Sequence, residues 1–128
     1  MARILIAEDE EALRALTARA LTDSGHDVVT AIDGADALDI LNREKGRFEL
    51  LLTDIRMPLM DGIALALATA RDHPKITILL MTAYADQRER AANLNALIHD
   101  VILKPFTLAE IKAAVTDALA ANANQQRD

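Results

Sequence analysis

In the stretch Glu49-Leu50-Leu51-Leu52-Thr53-Asp54-Ile55-Arg56-Met57-Pro58-Leu59-Met60-Asp61-Gly62, a continuous apolar run closes on a carboxylate. Such a run suits a strand buried on both faces of a parallel sheet, whose last residue emerges into a polar crevice. Asp54 is that residue. Pro58 lacks an N–H, fixes φ and pushes Met57 toward extended geometry, so the chain turns there. Asp61 then caps a new helix. An aspartate at a strand end, taken singly, is more often a turn-former or cap than a reactive group. The residues at the other strand ends decide between these roles.

Four further apolar runs surround this one. Ile4-Leu5-Ile6-Ala7 closes on Glu8-Asp9, Val28 to Ala31 precedes Asp33, Ile76 to Met81 closes on Thr82, and Val101-Ile102-Leu103 closes on Lys104-Pro105. Helical spacing fills the intervals. Leu13, Leu16, Ala20 and Leu21 mark a first helix from about Glu10 to the stop at Gly25. Asp33 caps a second that carries Ala37, Leu38 and Leu41 inward and ends near Lys45-Gly46. A third runs from about Gly62 to Arg71 and stops near His73, ahead of Pro74. A fourth, from about Asp86 to Leu94, has a charged face and few apolar positions, with Asn95 as its expected left-handed cap. Thr107 and Glu110 form a capping box for the fifth, which carries Leu108, Ile111, Val115 and Leu119 on one face. Residues 122–128 are expected to be a polar tail with nothing to bury.

Five strands alternating with five helices imply an open parallel sheet with helices on both faces, an α/β three-layer sandwich. Ligands in such sheets bind beyond the carboxyl ends of the strands, at a topological switch point. Here those ends carry Glu8, Asp9, Asp54, Thr82 and Lys104.

The 128 residues show no compositional break and fit one domain large enough to bury a core unaided. No run is long enough to span a membrane, and the absence of cysteine is compatible with a reducing compartment, so a cytoplasmic protein is expected. A net charge of −6 with dispersed Lys and Arg argues against a nucleic-acid partner. The aromatic residues are Phe48, Tyr84 and Phe106, too few for a base-stacking platform. A dinucleotide site would need a glycine-rich turn after the first strand, and Ala7-Glu8-Asp9-Glu10-Glu11-Ala12 has no glycine.

Three carboxylates in one crevice repel one another, and without a cation at least one is driven to take up a proton. A hard divalent ion removes the conflict. Mg²⁺ fits best, since it accepts one or two protein carboxylates together with waters and phosphate oxygens, and neither thiolates nor paired histidines point to zinc. Beside such an ion, Asp54 is placed to act as a nucleophile toward phosphorus. Lys104 supplies a compact positive charge for one phosphoryl oxygen and the Thr82 hydroxyl a hydrogen bond for another. Each also has a plainer role open to it: Asp9 as a helix cap, Thr82 as a strand terminus, Lys104 as a solvated charge.

The acidic pair Glu8-Asp9, the segment Thr53-Asp54-Ile55-Arg56-Met57-Pro58 with Met60-Asp61-Gly62, Met81-Thr82-Ala83 and Lys104-Pro105-Phe106 together resemble the receiver domain of two-component response regulators. The likeness spans Arg3 to about Ala121, so residues 1–121 are expected to be one CheY-like receiver domain. It implies a flavodoxin-like (βα)5 fold with strand order 2-1-3-4-5. It also implies phosphorylation of Asp54 by a histidine kinase, or exchange with a histidine phosphotransfer protein. Asp9 would bind Mg²⁺ directly, Glu8 through water and Arg56 by its backbone carbonyl. Thr82 and Lys104 would grip the phosphoryl group, and the Lys104-Pro105 bond would be cis.

Receivers usually carry an aromatic residue three positions before the lysine; here that position is Val101, and Tyr84 is the candidate to couple the site to the fourth helix instead. The expected output is phosphorylation-dependent binding of a target protein to the face formed by the fourth helix, fifth strand and fifth helix. A stand-alone regulator is the leading expectation, and a phosphorelay intermediate or phosphate sink the alternative. Arg3 to Asp9 and Leu50 to Ile63 are similar to CpdR-type regulators, which govern substrate delivery to a protease. Only slow self-phosphorylation from small phosphodonors and self-dephosphorylation are expected, not metabolic catalysis, because Arg56 stands where an aspartyl phosphatase would hold a second acid. The assembly expected is a monomer or a dimer formed on phosphorylation. His26, His73 and His99 show no metal-ligand spacing and are expected to be solvated or locally bonded.

Overall fold

The computed structural model describes residues 2–126. Strands and helices alternate throughout: β1 (Arg3–Ala7), α1 (Glu11–Asp23), β2 (Asp27–Ala31), α2 (Gly34–Arg43), β3 (Leu50–Asp54), α3 (Gly62–Asp72), β4 (Thr77–Thr82), α4 (Ala85–Ala92), β5 (Asp100–Leu103) and α5 (Leu108–Gln126). The strands pair in parallel in the order β2-β1-β3-β4-β5, as expected. Leu5 lies opposite Leu51 and Leu51 opposite Ile78, so one apolar row crosses the middle of the sheet.

Strand alternation divides the core in two. Leu5, Leu51, Ile78 and Leu80 face the layer of α2, α3 and α4, where they meet Leu41, Leu65 and Ala91. Ile4, Ile6, Leu52 and Leu79 face the opposite layer and pack with Leu21 of α1 and Ile111 and Val115 of α5. Every residue of β3 and β4 is buried, which is why their sequences read as unbroken apolar runs. Each fully buried Leu or Ile contributes about 1.5–3 kcal/mol.

The expected helix starts are present. Asp33 accepts a hydrogen bond from Asp36 N–H and Asp61 one from Ala64 N–H, both at 2.8 Å. The Thr107 hydroxyl accepts from Glu110 N–H at 3.0 Å while the Glu110 carboxylate accepts from Thr107 N–H at 2.9 Å. After α2 the chain passes through the left-handed region at Lys45 (φ 57°) and Gly46 (φ 67°), and Gly46 N–H closes on Leu41 O at 2.8 Å.

Three expectations need correction. Helix α4 ends at Ala92, and Asn95 is not a left-handed cap; among the described residues the non-glycine positive φ angles belong to Lys45 and Leu59. The chain leaves α4 through right-handed turns, with Leu94 N–H on Ala91 O and Leu97 N–H on Leu94 O, so no reversal of hand is needed. Nor do the described residues after Ala121 form a tail with nothing to bury; the last two positions of the expected tail, 127 and 128, lie outside the described residues. Helix α5 continues to Gln126 and Asn122 is buried, its Nδ2 donating to Glu49 O, Lys75 O and Thr77 Oγ1 at 2.9–3.1 Å. A polar residue is tolerated in the interior here because its amide faces three oxygens at the starts of β3 and β4, one of which, Glu49 O, also accepts from Thr77 N–H at 3.0 Å. Of the histidines, His26 and His99 are bonded as expected, His26 Nδ1 accepting from Ala2 N–H and His99 Nε2 meeting Asp117 at 2.8 Å, whereas His73 departs from the expectation, its Nε2 buried without a hydrogen-bond partner.

Candidate active site

The strand order reverses about β1, whose neighbours β2 and β3 lie on opposite sides, and the crevice opens beyond the ends of β1 and β3. Glu8 and Asp9 follow β1, Asp54 ends β3, Thr82 ends β4 and Lys104 follows β5. Glu8 is 1 % exposed and Asp54 7 %, so both carboxylates are largely removed from water. Asp9 is exposed at the rim. One carboxylate oxygen from each of Glu8, Asp9 and Asp54 lies within 4.8 Å of the others.

Lys104 enters this group from the far side of the sheet. Its Nζ donates to Glu8 Oε1 at 2.7 Å and stands 3.0 Å from Asp54 Oδ2. A solvated strand-end charge would do neither. The cap role open to Asp9 is not taken up, because the N-cap of α1 is Glu10, with no side-chain cap hydrogen bond. Glu8 is held further by Glu10 N–H on its Oε2 at 3.1 Å, and Arg14 Nη1 donates to its carbonyl at 2.9 Å.

These contacts divide the protons unequally. Burial pushes the Asp54 carboxyl up to about 7, helped by its hydrogen bond to Glu8 and by the Glu8 charge, against the pull of Lys104. For Glu8, burial also acts upward, but hydrogen bonds with Lys104, Asp54 and Glu10 N–H outweigh it and hold the group below its ordinary value. Asp9 is raised by burial and by Glu8. The ammonium, closer to Glu8, neutralises that acid more than Asp54. One carboxyl is therefore inclined to keep a proton, as expected for three acids without a divalent ion.

The donor set fits Mg²⁺. Its oxygens are hard, and Glu8, Asp9 and Asp54 each present one on the same side of the crevice, where a divalent ion would offset their mutual repulsion. Asp54 would lose its proton on binding the ion.

The turn after Asp54 is shaped by close backbone approach. A Cβ on Gly62 would lie 2.0 Å from Asp54 O, and Gly62 N–H donates to Ile55 O at 2.7 Å. Only glycine lets the start of α3 pack directly against Asp54. Arg56, two residues past Asp54, lays its guanidinium 5.1 Å from the centre of the Tyr84 ring. Thr82 is beside the cluster, since Asp54 is in register with Met81, but its hydroxyl donates to Gln87 Oε1 at 2.7 Å. Sequence reasoning missed Gln87; its signal was an amide at the third position of α4, the residue type of a capping box. The Lys104-Pro105 bond is cis, as expected.

This arrangement of acids, hydroxyl and lysine coincides with a sequence match to the response regulator receiver domain family over residues 4–116. The chain belongs to that family. Among curated relatives it is similar to the transcriptional regulatory protein PrrA of Mycobacterium leprae, 35 % identical over 113 residues, which cover 88 % of this chain and 48 % of PrrA. It is similar also to the DNA-binding transcriptional regulator NtrC of Klebsiella pneumoniae, 34 % identical over 122 residues, covering 95 % of this chain and 26 % of NtrC. The receiver thus spans about half or less of the length of these relatives. Among solved structures, a CheY-like receiver domain protein from Methanospirillum hungatei superposes with a TM-score of 0.88 at 26 % identity, covering 98 % of each chain. The response regulator TrrA of Thermotoga maritima, solved in complex with Mg²⁺ and BeF, gives 0.81 at 29 % identity, covering 92 % of this receiver and 99 % of TrrA. Among the described residues of this receiver, no helix is long and apolar enough to cross a membrane.

Proposed function

We propose that this receiver takes a phosphoryl group onto Asp54 from the phosphohistidine of a kinase or phosphotransfer partner and signals by a change in protein binding. The observation that carries this is the meeting of Glu8, Asp9, Asp54 and Lys104 in one crevice. An Asp54 carboxylate oxygen forms the new P–O bond as the P–N bond to the donor imidazole breaks, and the leaving nitrogen keeps the bonding pair. Most of what such a transfer asks of a protein is alignment and charge stabilisation. Lys104 already stands 3.0 Å from Asp54 and would move onto a phosphoryl oxygen. Thr82 would turn its hydroxyl to another.

Mg²⁺, held by Asp9, Asp54 and the Arg56 backbone carbonyl, with Glu8 acting through water, would neutralise charge on the phosphoryl oxygens. Glu8 is mostly engaged by Lys104, which supports an indirect role for it. Arg56 offers no acid for activating water, so turnover of the acyl phosphate would be slow, as suits a switch rather than a metabolic enzyme. We place this activity in the cytoplasm, where kinase and target would both be reached. Output would leave through α4, β5 and α5. Val101 is buried and carries no ring to swing, whereas Tyr84 is half-exposed at the start of α4.

Intact-mass analysis after incubation with Mg²⁺ and a small phosphodonor tests the acceptor. Wild type should gain the mass of one phosphoryl group and Asp54→Asn none; an equal gain in both removes the assignment.

A further inference from the structure

Thr82 is 1 % exposed at the end of β4, and its hydroxyl proton is already given away. Its oxygen accepts from Tyr84 N–H at 3.1 Å and its proton goes to Gln87 Oε1 at 2.7 Å. A threonine hydroxyl has one proton to give. A phosphoryl oxygen only accepts, so it can bond Thr82 only by taking the proton that Gln87 now holds. The two bonds exclude each other by stoichiometry.

Gln87 lies in the first turn of α4, a helix of 8 residues whose N-cap, Tyr84, makes no side-chain cap hydrogen bond and whose buried residue is Ala91. With so little apolar area securing it, α4 depends on polar ties such as this one, the mark of an element that opens at low cost. Val101, in the same core cluster as Ala91, has no polar side-chain atom that could report on Thr82.

Taking Asp54 as the phosphoacceptor proposed above, we infer that Gln87 is a positioning residue that holds the Thr82 hydroxyl while Asp54 is unmodified and releases it to the phosphoryl group, thereby coupling the first turn of α4 to the state of the site. By linkage, whatever Gln87 contributes to holding Thr82 is subtracted from the affinity of the site for a phosphoryl group.

The test is the affinity of the full chain for beryllofluoride with Mg²⁺, measured by calorimetry, with thermal stability recorded separately. Removing the competing acceptor in Gln87→Ala should tighten beryllofluoride binding about two- to tenfold, the range of one net hydrogen bond. Gln87→Glu keeps an acceptor oxygen and should return the affinity to wild type or below. In a Thr82→Ala background the effect of Gln87→Ala should vanish, because the shared hydroxyl is gone. A merely structural Gln87 would lower thermal stability without this dependence on Thr82. Unchanged or weaker binding in Gln87→Ala, or an equal gain with and without Thr82, overturns the inference. If wild type itself fails to bind beryllofluoride, and Asp54 takes up no phosphoryl group, the phosphoacceptor reading falls first and this one with it.

Discussion

Replacing Asp54 by asparagine should make the metal-free protein more stable, although it removes an ion pair. The Asp54 carboxyl is raised from 3.8 to about 7 by burial and by Glu8, so the native state holds a proton that the unfolded state gives up. Between those values the native state binds more protons, and stability from this group falls as pH rises. The penalty is absent below the unfolded pKa and complete above the folded one. A shift of that size amounts to roughly 4 kcal/mol at pH 8, at about 1.4 kcal/mol per unit. Asparagine removes the charge but also the contact with Lys104, which keeps its partner Glu8 at 2.7 Å. The net gain expected is about 2–4 kcal/mol at pH 8, shrinking toward zero near pH 4. Urea unfolding in EDTA at several pH values measures it. Adding Mg²⁺ should narrow the difference by stabilising wild type through binding to the native state alone. A variant that is neutral or less stable at pH 8, or whose advantage grows on acidification, would refute the account of this crevice as a site of uncompensated charge.

Mg²⁺ affinity should fall about tenfold between pH 8 and pH 6, because below its raised pKa Asp54 must release a proton to bind the ion; titration calorimetry in buffers of different ionisation enthalpy would show that proton, and a flat profile would contradict it. Gly62→Ala sets a Cβ 2.0 Å from Asp54 O and should cost about 1–3 kcal/mol, with a matching loss of phosphoryl uptake from a small donor, both read on the purified variant. Asn122→Leu removes the buried amide that donates to Glu49 O, Lys75 O and Thr77 Oγ1 and should cost about 1–3 kcal/mol in chemical unfolding while leaving Mg²⁺ binding unaltered. Tyr84→Ala removes the ring under the Arg56 guanidinium and should weaken phosphorylation-dependent target binding; binding that is unchanged in the variant would show that Tyr84 transmits nothing.

Local sequence determined the order of elements, the helix caps at Asp33, Asp61 and Thr107, and the chemistry waiting at each strand end. These were legible because burial on both faces leaves an unbroken apolar run, and a cap needs an oxygen at one backbone position. Only the tertiary structure decided which acid keeps the proton, since that turns on whether Lys104 stands nearer Glu8 or Asp54. It alone turned the Thr82 hydroxyl to Gln87 and drew Asn122 inside to meet carbonyls 47 and 73 residues away in the chain. Periodicity records which face of an element is dry; it carries no record of which polar atoms from distant segments meet there, and in a buried site those meetings set the charge.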